Sequence, residues 1–226
     1  MSVVPASLRA RVRSTIETPV ARVFGRLGLT PNMLTLIGFA IAVVGAWFAA
    51  NQAWLIAGLV VAFGAIFDLF DGALARATNK TSNFGAFLDS TMDRAGEGVV
   101  YIGIVVGLAT LMYDNPIGVY LAVAAMAASY MVSYVRSRAE SLGFSPGSGM
   151  ASVGLAPREV RMSILVVGML AIPWTIAQDF LLMHAPVPQS LLVALGLITV
   201  LSTITAIQRI LFTYNQSRSQ TQEVSK

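Results

Sequence analysis

Apolar and polar positions along this chain are gathered into long blocks instead of alternating at the short periods of a soluble fold. No charged residue occurs from Leu27 through Phe67, Gly98 through Tyr113, Asn115 through Val135, Met162 through Gln178 or Phe180 through Gln208. A helix crosses the hydrocarbon layer of a bilayer with about 20 apolar residues, whereas a β-barrel is written as alternating strands of about 10. The pattern therefore predicts an all-α integral membrane protein and excludes a barrel. As one helix the first block would measure about 60 Å, twice the layer, and Asn51-Gln52 sits near its middle. It divides into two spans joined by a tight turn. Thr30-Pro31 offers a capping hydroxyl followed by proline at the first helical position, so the first span starts near residue 31. The others fall at roughly 54–78, 84–112, 116–142, 157–176 and 188–213, giving six transmembrane helices.

Composition agrees: 56% of the 226 residues are apolar, 12% are charged, and the mean hydropathy is +0.72. Cysteine is absent, which removes disulfides and thiolate chemistry. The excess of 15 Lys and Arg over 11 Asp and Glu speaks of orientation, not of nucleic acid. Sorted onto the six spans, all 15 basic residues fall on one side, and the opposite loops hold Asp114, Asp179 and the single histidine, His184, but no Lys or Arg. Positive residues near span ends stay in the cytoplasm. The expectation is a multi-pass protein of the cell membrane with both termini cytoplasmic. Residues 1–26 lack the apolar stretch of a cleavable signal. Val12, Ile16, Val20, Val23 and Phe24 recur near helical spacing among arginines, which predicts an N-terminal amphipathic helix at the interface. The organisation expected is a cytosolic amphipathic arm over 1–26, a six-helix catalytic domain over 27–214 and a cytosolic tail over 215–226.

The informative charges are four aspartates, Asp68, Asp71, Asp89 and Asp93, near the cytosolic ends of spans two and three. Each would cost about 2.5–3.5 kcal/mol at a helix centre. At 100° per residue, Asp68, Asp71, Gly72 and Ala75 share one face, and Gly85, Asp89 and Asp93 share another. A hairpin turning near Lys80 brings both faces together, about 12 Å from the turn. Four like charges in low dielectric need cations, and oxygen donors without His or Cys favour magnesium, manganese or calcium over zinc. Two divalent ions match four carboxylates. The alternative is pairing of two aspartates with Arg76 and Arg94, the others facing water.

Asp68-Leu-Phe-Asp71-Gly72-Ala-Leu-Ala75-Arg76, eight residues, then Gly85-Ala-Phe-Leu-Asp89-Ser-Thr-Met-Asp93 resembles the signature of the CDP-alcohol phosphotransferases at every fixed position. Leu29-Thr30-Pro31-Asn32 and the six-span layout also look like that family. The resemblance implies transfer of a substituted phosphate from a CDP-linked lipid to an alcohol with release of CMP. It implies two Mg2+ ions, with Mn2+ as the alternative, held by Asp68, Asp71, Asp89 and Asp93. It further implies Asp93 as general base and Pro31, Asn32, Gly72, Arg76 and Ser82 as the CDP-diacylglycerol site, which is expected to face the cytoplasm. Metals about 3.5–4 Å apart suit such a displacement, because they neutralise the diphosphate and steady the leaving group.

The signature is silent about the acceptor. Arg136, Arg138, Arg158, Arg161 and Arg209 stand at the cytosolic ends of spans four, five and six, where guanidinium groups can bind phosphate bidentately or merely fix topology. The stretches around Tyr134 to Glu140, Pro157 to Arg161 and Gln208-Arg209 resemble those of bacterial phosphatidylinositol phosphate synthases. That likeness implies inositol phosphate as acceptor, with Arg136, Arg158 and Arg209 on its phosphate; glycerol phosphate is the rival. A cation transporter would also place carboxylates in the membrane, but here they stop at the cytosolic half with no relay beyond. Resemblance to homodimers and the Gly103-xxx-Gly107 pattern raise the question of a small-residue interface within or between chains.

Overall fold

The structure, a computed structural model, describes residues 24, 28–77, 81–111, 115–144, 153–172 and 188–224, without the side chains of 66, 69, 71–73, 75–77 and 219–224. Six helices and no strand occur among them: α1 Pro31–Ala50, α2 Trp54–Ala77, α3 Asn83–Leu111, α4 Ile117–Ser141, α5 Arg158–Leu170 and α6 Gln189–Val224. The amphipathic arm lies outside the described residues except for Phe24, whose ring meets Phe67 and Phe70 of α2 at centroid distances of 5.8 Å each. Four helices, α1, α3, α4 and α6, have the length and apolar character to cross a membrane, and Trp54–Ala65 of α2 is a shorter apolar stretch. The fifth expected span runs past residue 172 into the undescribed segment.

Which residues each helix buries identifies the solvent. The buried positions of α1 are Leu34, Thr35, Gly38, Gly45, Ala46 and Ala49, while Met33, Leu36, Val43, Val44 and Trp47 point outward. On α4 the buried set is Gly118, Ala122, Ala125, Ser129, Val132 and Ala139, spaced by threes, fours and a seven. Tyr120, Val123, Tyr130 and Met131 are exposed there. Small residues inside and large apolar ones outside are the arrangement of helices that associate by close backbone packing in lipid. The protein is membrane-embedded.

The chain forms two compact units, 1–103 and 104–226, divided within α3 at Gly103. In the first, α1 begins at the Thr30-Pro31 pair, with Thr30 Oγ1 accepting from Met33 N–H at 3.3 Å. It ends where Asn51 Nδ2 donates to Trp47 O at 2.8 Å and Gln52 takes a positive φ of 62°, which turns the chain straight into α2. The two helices then run antiparallel. A Cβ added at Gly45 would stand 2.8 Å from Val61 Cγ2, and one at Gly64 would stand 3.2 Å from Ile41 Cγ2. Helix α3 returns parallel to α1, with Gly96 against Ala42 and Phe39, and Gly103 so close to Ala46 that a Cβ would overlap its backbone carbonyl. Gly103 of the Gly103-xxx-Gly107 pattern thus packs within the chain.

In the second unit α6 packs against both α4 and α5. Gly168 admits Ala194, and Ser190 Oγ donates to Gly168 O at 2.9 Å. Further along the same antiparallel pair, Thr205 and Arg209 of α6 hold the segment that precedes α5.

Candidate active site

Asp68 lies on α2 at the face turned to α1, where Gly38 makes room for it: a Cβ at position 38 would stand 2.8 Å from Asp68 Oδ1. Any other residue there would press on the carboxylate. Asp68, Asp89 and Asp93 are all half-buried, so they are reachable by a ligand while sheltered from bulk water. Among the described residues no three carboxylate or imidazole groups form a metal cluster, and the side chain of Asp71 lies outside that set. The side chain of Arg76 does also, although the backbone of Gly72 and Arg76 continues α2.

The register between α1 and α3 fixes how deep the other aspartates lie. At the start of α3, Ser82 accepts from Gly85 N–H at 3.0 Å, and a Cβ at Gly85 would meet Ser82 Oγ at 3.1 Å and Asn32 Oδ1 at 3.3 Å. Asn32 and Ser82, expected from the sequence to share the nucleotide site, are therefore neighbours at one end of the unit, next to Pro31 at the head of α1. Gly85 is level with Asn32, and Gly96 is level with Phe39 and Ala42. Asp89 and Asp93, between those two points, must lie alongside the part of α1 that ends near Gly38, which is the level of Asp68. Their donors are oxygen alone, the set that suits magnesium or manganese, and Gly38 lets Asp68 lie close against α1. The residues present fit a divalent cation.

Arg94 of α3 pairs with carboxylates of its own helix. Its Nη1 donates to Glu97 Oε2 at 2.9 Å, while its Nη2 stays 3.9 Å from Asp93 Oδ2. Glu97 is only 2% exposed. Sequence reasoning passed over Glu97 and Gly38, the first hidden behind an ordinary Arg–Glu spacing, the second within an apolar run that carries no polar signal.

The three arginines expected at the acceptor stand in the second unit in three different conditions. Arg136 is exposed on α4 and forms an i,i+4 pair with Glu140, Nε to Oε1 at 2.9 Å. Arg158 is the first residue of α5 and half-buried. Arg209 is 4% exposed, and its Nε and Nη1 donate to Val153 O at 3.0 Å and Val132 O at 2.7 Å. Arg161, also buried, donates from Nη1 to Ala156 O at 2.9 Å.

The family model described as CDP-alcohol phosphatidyltransferase matches residues 28–214. An archaetidylinositol phosphate synthase of Pyrococcus horikoshii is 35% identical over 204 residues, covering 89% of this chain and 94% of that protein. A phosphatidylinositol phosphate synthase of Mycobacterium tuberculosis is 36% identical over 211 residues, covering 93% and 90%. Crystal structures of the M. tuberculosis phosphatidylinositol phosphate synthase share the fold. The form with CDP-DAG bound has a TM-score of 0.73 at 31% identity, covering 88% of this chain and 94% of that one. The complex with manganese and citrate has a TM-score of 0.74 at 33% identity, covering 88% and 89%.

Proposed function

The chain belongs to the CDP-alcohol phosphatidyltransferase family, and from that premise we propose that it transfers the phosphatidyl group of CDP-diacylglycerol to inositol phosphate, giving phosphatidylinositol phosphate and CMP. The observation that carries the reading is the aspartate signature on α2 and α3, with Asp68 seated against Gly38. Inositol phosphate is favoured over glycerol phosphate because the relatives of M. tuberculosis and P. horikoshii are inositol phosphate lipid synthases by name and match most of the chain.

Asp68, Asp71, Asp89 and Asp93 would hold two magnesium ions, or manganese in their place. When bound, the ions supply positive charge to the diphosphate and to the departing CMP. Pro31, Asn32, Gly72, Arg76 and Ser82 receive the nucleotide of the donor. Asp93 takes the proton from the acceptor hydroxyl. The hydroxyl oxygen bonds to the phosphorus bearing diacylglycerol, the bond from that phosphorus to the bridging oxygen breaks, and CMP leaves with the electron pair. Arg158, with Arg136 and Arg209, binds the phosphate already on the acceptor and so sets which hydroxyl attacks.

The surrounding architecture in this reading is six spans with both termini and the active site in the cytoplasm, the basic residues of the chain marking that side. Two copies form a homodimer. The test is to supply purified protein with CDP-diacylglycerol, magnesium and, one at a time, inositol phosphate, glycerol phosphate, inositol and serine, and to identify the lipid made. Inositol phosphate should be preferred. Preference for glycerol phosphate would make the protein a phosphatidylglycerol phosphate synthase, and preference for an unphosphorylated alcohol would remove the role of the arginines.

A further inference from the structure

The turn that leads into α5 is held from outside, by α6. Thr205 is fully buried, and its Oγ1 accepts the N–H groups of both Leu155 and Ala156 at 3.0 Å while donating to Leu201 O at 2.7 Å. A hydroxyl has one donor and two acceptor lone pairs, so this side chain uses its full capacity. Two successive backbone amides rest on one oxygen. Gly154, with φ +115°, lets the segment lie flat on Thr205, because a Cβ there would run into the threonine methyl carbon. Carbonyls of the same segment are also engaged, Val153 O by Arg209 Nε at 3.0 Å and Ala156 O by Arg161 Nη1 at 2.9 Å.

Other threonines of α6 show what a merely helical role looks like. Thr199 and Thr203 donate to the carbonyls of Leu195 and Thr199, four residues back, each at 2.8 Å. Thr205 makes the same bond and in addition reaches 50 residues back along the chain. What it fixes lies directly before α5: Ala156 is followed by Pro157, extended at ψ 166°, and then by Arg158 as the first helical residue.

We infer that Thr205 is a positioning residue for acceptor binding: by holding the 153–156 backbone on α6 it sets where α5 begins, and thereby where Arg158 meets the acceptor's phosphate. This rests on the reading of Arg158 as a phosphate ligand. Thr205 acts through Arg158, so its loss must be felt by the acceptor and not by the donor lipid or the metal.

Thr205→Val keeps the shape and a methyl but leaves two buried amides without their acceptor. In CMP-release assays its KM for inositol phosphate should rise about tenfold or more, with the KM for CDP-diacylglycerol and the magnesium dependence within about twofold of the parent. Thr205→Ser restores the hydroxyl and should return acceptor KM to within about threefold of the parent. Gly154→Ala disturbs the same contact with the hydroxyl intact, should give the same acceptor-selective defect, and replaces Thr205→Val if that variant does not fold. In an Arg158→Ala background Thr205→Val should add no more than about twofold, because the group it positions is gone.

An unchanged acceptor KM in Thr205→Val and Gly154→Ala overturns the inference. So does an equal rise in both KM values, no rescue by serine, or full additivity with Arg158→Ala. If the parent uses no phosphorylated acceptor the functional reading itself falls, and if Arg158→Ala leaves its KM unchanged the role of Arg158 falls; in either case this inference goes with it. If Arg158→Ala is impaired and Thr205→Val is not, only the positioning role is lost.

Discussion

The two compact units use their charged residues in opposite ways. In residues 1–103 three aspartates sit half-buried on helix faces, and Arg94 pairs with buried Glu97 at 2.9 Å and with Asp93 at 3.9 Å. In residues 104–226 the deepest charges are arginines that bind backbone: Arg209 on Val132 and Val153, Arg161 on Ala156. The contrast follows from the chemistry of the groups. A carboxylate accepts but cannot donate, and its oxygens suit hard divalent cations. A guanidinium finds acceptors in any turn, and its five donors let one residue hold the fold and bind a ligand together.

The largest expected effect breaks the first unit. Asp68→Asn or Asp89→Asn should lower CMP release at least about a thousandfold without unfolding the protein, since metal charge stabilisation is worth several kcal/mol. Near-normal turnover of both would end the metal assignment. Asp93→Asn should lose kcat far more than CDP-diacylglycerol binding, because an amide cannot take the acceptor's proton; a defect confined to lipid binding would contradict the base.

Next comes the second unit. Arg158→Ala should cost about 2–5 kcal/mol of acceptor binding, so its KM for inositol phosphate rises well over tenfold while that for CDP-diacylglycerol holds. Arg209→Ala should do this and also lower the melting temperature, since each lost charged hydrogen bond to carbonyl is worth about 1.5–3 kcal/mol. If melting falls and acceptor kinetics do not change, Arg209 is structural alone. Lysine should rescue either site only in part, for want of the planar fork.

A sharper probe of the first unit is Gly38→Ala, whose Cβ crowds Asp68 Oδ1 at 2.8 Å. Moving one ligand by a fraction of an ångström should cost about tenfold in kcat. Unaltered kinetics would mean Asp68 tolerates displacement. The smallest effect belongs to Arg136, exposed and paired with Glu140; Arg136→Ala should raise acceptor KM about threefold at most, in keeping with a screened surface charge.

Legibility in the sequence follows the same divide. The start of α1 at Thr30-Pro31 and the turn at Asn51-Gln52 were readable because capping and turn chemistry are local. The aspartates were readable because charge is rare inside apolar runs. Gly38 was not, since its meaning depends on Asp68 thirty residues later, and Thr205 was not, since its amide partners lie 50 residues away. Arg158 and Arg209 look alike as basic residues at helix ends, and it is the structure that shows Arg209 buried and bonded to two carbonyls.

The most direct test of the account is CMP release by the purified parent protein from CDP-diacylglycerol and inositol phosphate, measured with magnesium, after chelation, and after magnesium is restored. The account predicts release that requires both acceptor and cation, stops in chelator and returns with magnesium. Release that continues unchanged in chelator, or that fails with every phosphorylated alcohol supplied, would contradict it.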